Sequence, residues 1–328
     1  MSLPSKPRVL VTGCSTGIGR ALVLELHSRG CIVLATARKV EVLVDLKSMG
    51  VSTASVDVCK PETIAAALAE FGPVDVCFAN AGVSFFGPLV EQPLGRISSI
   101  MDTNVTGVIA TVQAVVPAMI ARRTGAIVVT GSVSGAMVTP FAGAYCASKA
   151  AVSALCEALT MELDPFGVAV VNVITGSVQS SFAQNADGSS GLAPTSVYAK
   201  VDDALKARVW ASQSPSACVT AEAYAKQVVD AALSPRPPAV LVAGGKAPLY
   251  NAIGQYMPRS VRRRLLPASF GMARLGTGRS GPPTKLTIVG DKACAAFVAL
   301  LALTGTRAVG TAAFGVVLWA LGRIAGHL

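Results

Sequence analysis

The chain of 328 residues is apolar for its size, with 52% hydrophobic and 14% charged residues. That length allows one large domain with an appendage, or two modest domains, and a core that needs no staples. The formal charge of +10 lies wholly in the last quarter: residues 1–244 balance 17 Lys+Arg against 17 Asp+Glu, and residues 245–328 hold 11 Lys+Arg against Asp291 alone. A neutral body with a basic, apolar tail excludes the evenly basic surface of a nucleic-acid binder and points to an anionic membrane surface.

The eight cysteines, at 14, 31, 59, 77, 146, 156, 218 and 294, form no CxxC pair, and His27 and His327 stand alone. No zinc spacing exists, so no metal is expected, and reduced thiols in a cytosol-facing protein are. The opening MSLPSKPRVL has no charged and apolar regions of a signal peptide and runs straight into a strand.

In chain order, apolar runs alternate with helical patterns. Residues 8–12 (RVLVT) read as a buried strand, 17–30 as a helix ended by Gly30, 31–36 (CIVLAT) as a second strand, 51–58 as a third and 74–80 (VDVCFAN) as a fourth. A long helix is predicted over about 96–123, kinked at Pro117. Residues 125–132 give a fifth strand, 145–165 a helix, 168–175 (VAVVNVIT) a sixth strand and 238–244 (PAVLVAG) a seventh. Continuous apolar strands separated by amphipathic helices imply a parallel sheet covered on both faces, and right-handed crossovers make it a doubly wound α/β Rossmann fold of seven strands. The Ser/Gly/Ala-rich stretch 176–199 is long for a loop and reads as a lid over a substrate site.

Three motifs carry chemistry. The turn TGCSTGIG at 12–19 places glycines at 13, 17 and 19 between a strand and a helix, where a backbone must approach a pyrophosphate closely. After the second strand stands Arg38, with no acid until Glu41. An acid there would hold the ribose 2′-hydroxyl of NAD and repel a 2′-phosphate, whereas an arginine grips the phosphate, so Arg38 argues for NADP(H). Tyr145 and Lys149, four apart, share one helix face. An ammonium beside a phenol of ordinary pKa about 10 favours the phenolate and makes a better proton donor and acceptor. Ser132, at the end of the fifth strand, could hold a carbonyl oxygen. Asn104 falls within the long helix, an unfavourable place unless its amide has work to do.

Thr12-Gly13, Gly17-Ile18-Gly19, Asp57, Asn80-Ala81-Gly82, Asn104, Ser132, Tyr145 and Lys149, in this order and spacing over about residues 7–245, closely resemble the classical short-chain dehydrogenase/reductase family. The resemblance implies that Tyr145 is the proton donor, that Lys149 binds the nicotinamide ribose and lowers the tyrosine pKa, that Ser132 positions the carbonyl, and that Asn104 supports a proton-relay water. It also implies a cofactor site built from Thr12, Gly13, Ser15, Gly17, Ile18, Gly19, Arg38, Asp57, Asn80, Ala81, Gly82, Lys149, Gly176, Val178 and Ser180. Asp57 would touch the adenine and Asn80 would steady the strand edge. Where the family has Pro-Gly after the sixth strand, this chain has Thr175-Gly176, so a less rigid turn is expected; Ser180 replaces the usual threonine. Within the family, residues 131–151 are similar to two lipid-directed groups, and residues 244–275 resemble the NADPH-dependent 1-acyldihydroxyacetone-phosphate reductases more than the 17β-hydroxysteroid and retinol dehydrogenases.

Three parts are expected: a catalytic domain at 1–245, a basic helical extension at 246–292, and an apolar membrane-associating tail at 293–328. The tail holds apolar stretches at 293–306 and 308–322 around Arg307. Each is too short for a hydrocarbon core of about 30 Å, and a charge at mid-membrane costs about 2.5–3.5 kcal/mol or more. A hairpin dipping into one leaflet, or helices lying on it, fits better. With Arg259 and Arg262-Arg263-Arg264, the stretch 259–322 is expected to meet an endoplasmic-reticulum or lipid-droplet surface. A homodimer through the long helices is a further expectation. The competing reading is a catalytically idle protein that coats or binds a lipid surface.

Overall fold

The protein's computed structural model describes residues 3–186, 191–214 and 217–276. The expected membrane-associating tail at 293–328 lies outside them.

β1 (Arg8–Val11) leads through a glycine-rich turn to α1 (Gly17–Ser28), and β2 (Ile32–Ala37) and α2 (Val44–Ser48) carry the chain out to β3 (Ser52–Ser55). α3 (Pro61–Phe71) then crosses back, and β4 (Val76–Ala79) pairs with β1 on its other side. α4 (Leu94–Met101), α5 (Gly107–Arg122), β5 (Gly125–Thr130), α6 (Gly143–Leu163) and β6 (Val168–Thr175) extend the sheet, followed by α7 (Phe182–Asn185), α8 (Asp202–Trp210), α9 (Ala221–Ala232) and β7 (Val240–Ala243). All seven strands are parallel, in the order β3-β2-β1-β4-β5-β6-β7. The order reverses between β1 and β4, and such a switch point opens a crevice at the carboxyl ends of the strands.

The expected strands are all present, several of them shorter. Val76, Cys77, Phe78 and Ala79 are buried on both faces of the sheet, as their uninterrupted apolar run requires. One face packs α1 against α9, with Leu22, Leu26, Val228 and the fully buried Tyr224 in its core. The other takes α3, α5 and α6 through Ile64, Val112, Met119, Val152 and Cys156. Fully burying each large side chain contributes about 1.5–3 kcal/mol.

Pro117 lies within continuous α5. A feature that the sequence reading did not foresee lies further up, at Asp102–Thr106, one π turn in which the Gly107 N–H reaches back to the Asp102 carbonyl. Asn104 sits in this turn, fully buried. π turns concentrate at functional sites because they re-aim a side chain without ending the helix.

Beyond β7, α10 (Ala247–Tyr256) packs on β7, on β6 and on the turn Val133–Gly135, and α11 (Arg259–Ser269) follows. A Cβ on Gly254 would stand 2.7 Å from the Ala136 Cβ, so the helix lies hard against that turn. Arg262 donates Nη1–H to the Ala136 carbonyl at 2.6 Å. Its guanidinium therefore turns inward, while Arg259 and Arg263 remain exposed.

Candidate active site

The glycine-rich turn is shaped by contacts that only glycine permits. Gly13 (φ +74°) and Gly17 (φ +57°) occupy the left-handed region, and a Cβ on Gly19 would lie 2.2 Å from the Gly13 carbonyl oxygen and 2.7 Å from Asn80 Nδ2. Thr12 and Asn80 lock the ends of β1 and β4 together. The Thr12 hydroxyl accepts from the Asn80 and Ala81 amides, both at 3.0 Å, and Asn80 Nδ2 donates to the Thr12 carbonyl at 3.0 Å. The Thr130 hydroxyl donates to Asn80 Oδ1 at 3.1 Å, extending the lock to β5. α1 begins at Thr16 with no side-chain cap and no acid in its first turn. Uncapped N–H groups at the positive end of a helix, behind a backbone stripped of side chains, fit a pyrophosphate. Ser15 is exposed at the rim, and Ile18 packs down onto the sheet core.

Arg38 stands exposed at the end of β2, and its side chain makes no bond to any described residue. Asp57, past β3, accepts from the Cys59 amide at 3.1 Å, and its carbonyl accepts from the Thr63 hydroxyl, which fixes the entry to α3. Arg38 and Asp57 thus lie on the β2–β3 side of the switch point, apart from the group around Tyr145. Cys14 is sealed beneath the turn with Sγ–H donating to the Val11 carbonyl, and burial pushes its thiol up to about 12.

At the carboxyl end of β5, Ser132 stands beside the Tyr145 phenol and its hydroxyl favours the phenolate. Lys149, one turn along α6 from Tyr145, donates to the Thr130 carbonyl at 2.8 Å and lies 5.9 Å from the Tyr145 ring centroid. Asn104 holds the Val83 backbone at both ends, accepting from its N–H at 2.8 Å and donating to its carbonyl at 2.9 Å. It also donates to Ser148 Oγ at 3.0 Å, and that hydroxyl donates to the Tyr145 carbonyl at 2.8 Å. So Asn104 braces the strand-end loop carrying Gly82 against the helix carrying Tyr145. A Cβ on Gly82 would sit 3.3 Å from Asn104 Oδ1 and 3.8 Å from Lys149 Nζ.

The expected depression of the tyrosine does not appear. Burial pushes Tyr145 up to about 12, against the lowering by the Ser132 hydroxyl and the Arg208 charge. Burial brings Lys149 down to about 8. Lys149 aims its ammonium at Thr130, and desolvation outweighs the neighbouring charges.

The turn after β6 is not loose either. Thr175 and Tyr224 share a hydroxyl–hydroxyl hydrogen bond of 2.6 Å. The Gly176 and Ser177 amides donate to the Ala243 and Gly245 carbonyls at 2.8 and 2.9 Å. Side-chain and main-chain bonds do here what the missing proline ring would do. Val178 is buried and bridges Val219, and the Ser180 Cβ lies 2.8 Å from where a Gly17 Cβ would stand, so the segment closes over the glycine-rich turn. Gln213 pins this segment, accepting from the Ser180 amide at 3.0 Å and donating to the Val178 carbonyl at 3.2 Å.

Beside Tyr145 lies an aromatic and aliphatic cluster. The Phe86 and Phe182 rings stand 6.5 and 5.6 Å from the Tyr145 ring, and Phe141, Val201, Leu205 and Val209 close the cluster. The stretch expected to be a loop therefore holds α7, whose Phe182 reaches the tyrosine. Sequence reasoning missed Phe86, Phe182, Gln213 and Arg208. All four lie outside regular motifs and are brought in from separate segments, and in α8, which carries two acids and a second base, nothing in the sequence sets Arg208 apart. A separate cleft, lined by Arg8, Ile32, Ser52 and Phe71, opens at the amino ends of the strands, the end away from this chemistry.

A family model of the short chain dehydrogenases matches residues 7–190. The chain belongs to that family, whose members use nicotinamide cofactors. Among its relatives is the "Estradiol 17-beta-dehydrogenase 1" of Rattus norvegicus, 39% identical over 203 residues, which are 56% of this chain and 57% of that one. The chain thus spans under three-fifths of that relative's length. A short-chain dehydrogenase from Streptomyces avermitilis superposes with a TM-score of 0.68 at 29% identity, covering 84% of this chain and 100% of that one. The closed form of a serine dehydrogenase complexed with NADP+ superposes at 0.62 with 25% identity, over 71% of this chain and 93% of that one.

Proposed function

We propose that the protein is an NADPH-dependent reductase of a ketone carried on a lipid, with 1-acyldihydroxyacetone phosphate as the substrate best matched and 1-acylglycerol 3-phosphate as product. The observation that carries this reading is the Tyr145 phenol standing between Ser132 and the Phe86 and Phe182 rings, in the same crevice as the glycine cradle. An apolar chain would find those rings beside the phenol that meets its ketone.

The bound dinucleotide supplies a hydride to the carbonyl carbon. It would rest on Thr12, Gly13, Ser15, Gly17, Ile18 and Gly19, with Arg38 at the 2′-phosphate, Asp57 at the adenine, and Asn80, Ala81, Gly82, Gly176, Val178 and Ser180 along its length. Ser132 holds the carbonyl oxygen, and Tyr145 delivers its phenolic proton there, so ketone, hydride and proton give the alcohol. A tyrosine pushed up to about 12 stays protonated throughout the neutral range, as a donor must. Lys149 would hold the ribose and, while charged, favours the phenolate that Tyr145 becomes on giving up its proton. Asn104 keeps the Val83 backbone and α6 in register and supports the water that refills the phenol.

Residues 259–322 would hold the enzyme to an anionic cytosol-facing surface of the endoplasmic reticulum or a lipid droplet. Arg259 and Arg263 are exposed one turn apart on α11, which supports this reading. Carbonate extraction of full-length protein against a variant lacking 277–328 tests it, and a full-length protein that is wholly extracted sinks it.

A second reading, oxidation or reduction of a 17β-hydroxysteroid or retinoid, draws on the 39% identity to the rat enzyme. NADPH oxidation with acyldihydroxyacetone phosphate, an oxo-steroid, retinal and a 3-ketoacyl lipid separates the two. Turnover of the steroid without the phosphate ester replaces the first reading by the second. Turnover of none supports the idle lipid-surface binder.

A further inference from the structure

Arg208 is a cation beside the aromatic cluster of Tyr145, without an anion among the described residues to face. It rises from α8, donates Nε–H to the Thr139 hydroxyl at 2.9 Å, and lays its guanidinium over the Phe86 ring, 5.0 Å from the centroid. Phe86 in turn stands against Tyr145. Among the described residues no carboxylate pairs with Arg208; the charged or titratable groups that sense it are Tyr145, Cys146 and Tyr250. Its terminal nitrogens make no hydrogen bond to described residues, and neither is among the polar atoms sealed away from solvent.

An arginine cannot shed its charge, and burying one is costly unless an anion or several acceptors answer it. Stacking on Phe86 and one bond to Thr139 fix the plane of the guanidinium and spend its Nε–H. They leave the outer fork of N–H groups, the part that matches a phosphate or carboxylate two oxygens at a time, without a partner among the described residues. Phe86 and the neighbouring Phe141, Val201, Leu205 and Val209 are apolar, so the surroundings suit an anion attached to an apolar body. Phe86 separates the fork from the phenol by one ring, which suits an anion a few bonds from the reacting carbon.

We infer that Arg208 is an anion receptor, binding the phosphate or carboxylate of an amphipathic substrate and thereby setting its ketone against Tyr145. This rests on the ketone-reductase reading for what happens next, but the binding site itself stands without it. A neutral steroid would leave the fork unanswered, so the residue also discriminates between the two substrate classes above.

The test measures binding, with no turnover. The NADP+-loaded full-length protein is titrated with dodecyl phosphate, dodecanoate, dodecanol and inorganic phosphate by calorimetry, as wild type, Arg208→Gln and Arg208→Lys. Wild type is expected to bind dodecyl phosphate at least about tenfold more tightly than dodecanol and to bind inorganic phosphate only weakly. Arg208→Gln should lose about 30-fold or more for dodecyl phosphate and under threefold for dodecanol, while Arg208→Lys recovers part of the loss as a point charge without the fork. A dodecanoate affinity equal to that of dodecyl phosphate assigns the site to carboxylates as well. NADP+ affinity within twofold of wild type certifies that each variant is folded. If wild type binds dodecanol as well as dodecyl phosphate, or if Arg208→Gln loses affinity for both equally, the inference is overturned. Should the substrate panel show no turnover while these affinities hold, it is the reductase reading that fails.

Discussion

The two halves of the crevice are built in different ways. On the cofactor side, the shape is fixed by main chain: glycines at 13, 17 and 19, a helix end without a cap, and the Thr12–Asn80 lock at the switch point. On the substrate side it is fixed by side chains from distant segments: Phe86 after β4, Phe141 before α6, Phe182 on α7, Arg208 on α8, Arg262 on α11. A main-chain site admits few alternatives and serves one ligand. A side-chain site can be rewritten a residue at a time, so specificity resides there.

The largest expected effect falls where the halves meet. Tyr145→Phe should lower the reduction rate about 10²–10⁴-fold while NADP(H) affinity holds within twofold. Stopped-flow turnover beside fluorescence titration reads both, and equal loss in the two would erase the division between the halves. Next comes the main chain. Gly19→Ala forces a Cβ into the Gly13 carbonyl, and overpacking of about 1–3 kcal/mol should lower Tm by roughly 2–12 °C and weaken the dinucleotide. A variant with unchanged Tm and affinity would show that the turn is softer than its contacts.

Arg38→Asp should move the NADPH/NADH ratio of kcat/KM toward NADH by about tenfold or more, because a carboxylate repels the 2′-phosphate that the fork accepted. An unchanged ratio removes the argument for NADPH. Lys149 supplies the pH dependence. Its folded value of about 8 lies below the ordinary 10.5, so the ammonium is present below about 8 and fades above it. For reduction, kcat/KM should therefore be level up to about pH 8 and decline beyond, and a profile flat to pH 9.5 would contradict it. Because the folded state sheds this proton first, the penalty for burying the charge is relieved as pH rises from about 8 to 10.5, and Lys149 should contribute increasing stability over that window. The smallest effect belongs to Gln213→Ala, which frees the 178–180 segment and should raise KM for the dinucleotide about threefold; no change would leave the segment held by other contacts.

Legibility followed the same division. The strands and the glycine turn could be read because parallel strands and close backbone approach restrict residue types. Asn104 announced itself as a polar residue in a helix, but the π turn that aims it left no mark. The tyrosine's environment was misjudged because pairing with Lys149 can be counted along a helix, whereas burial cannot. Thr175 looked like a weakened proline, since its partner Tyr224 lies 49 residues away. Arg208 and Phe182 belong to stretches whose composition gives no hint of which way they face.

The docking of α10 and α11 decides where this chain can be cut. The family pattern ends near residue 245, and a cut there would pass for a clean removal of an accessory piece. It would take away Gly254 and Arg262, which bear on Ala136, four residues from the serine beside the phenol. A protease that nicks between β7 and α10 would thus act as an inactivating agent without touching a single residue of the catalytic group.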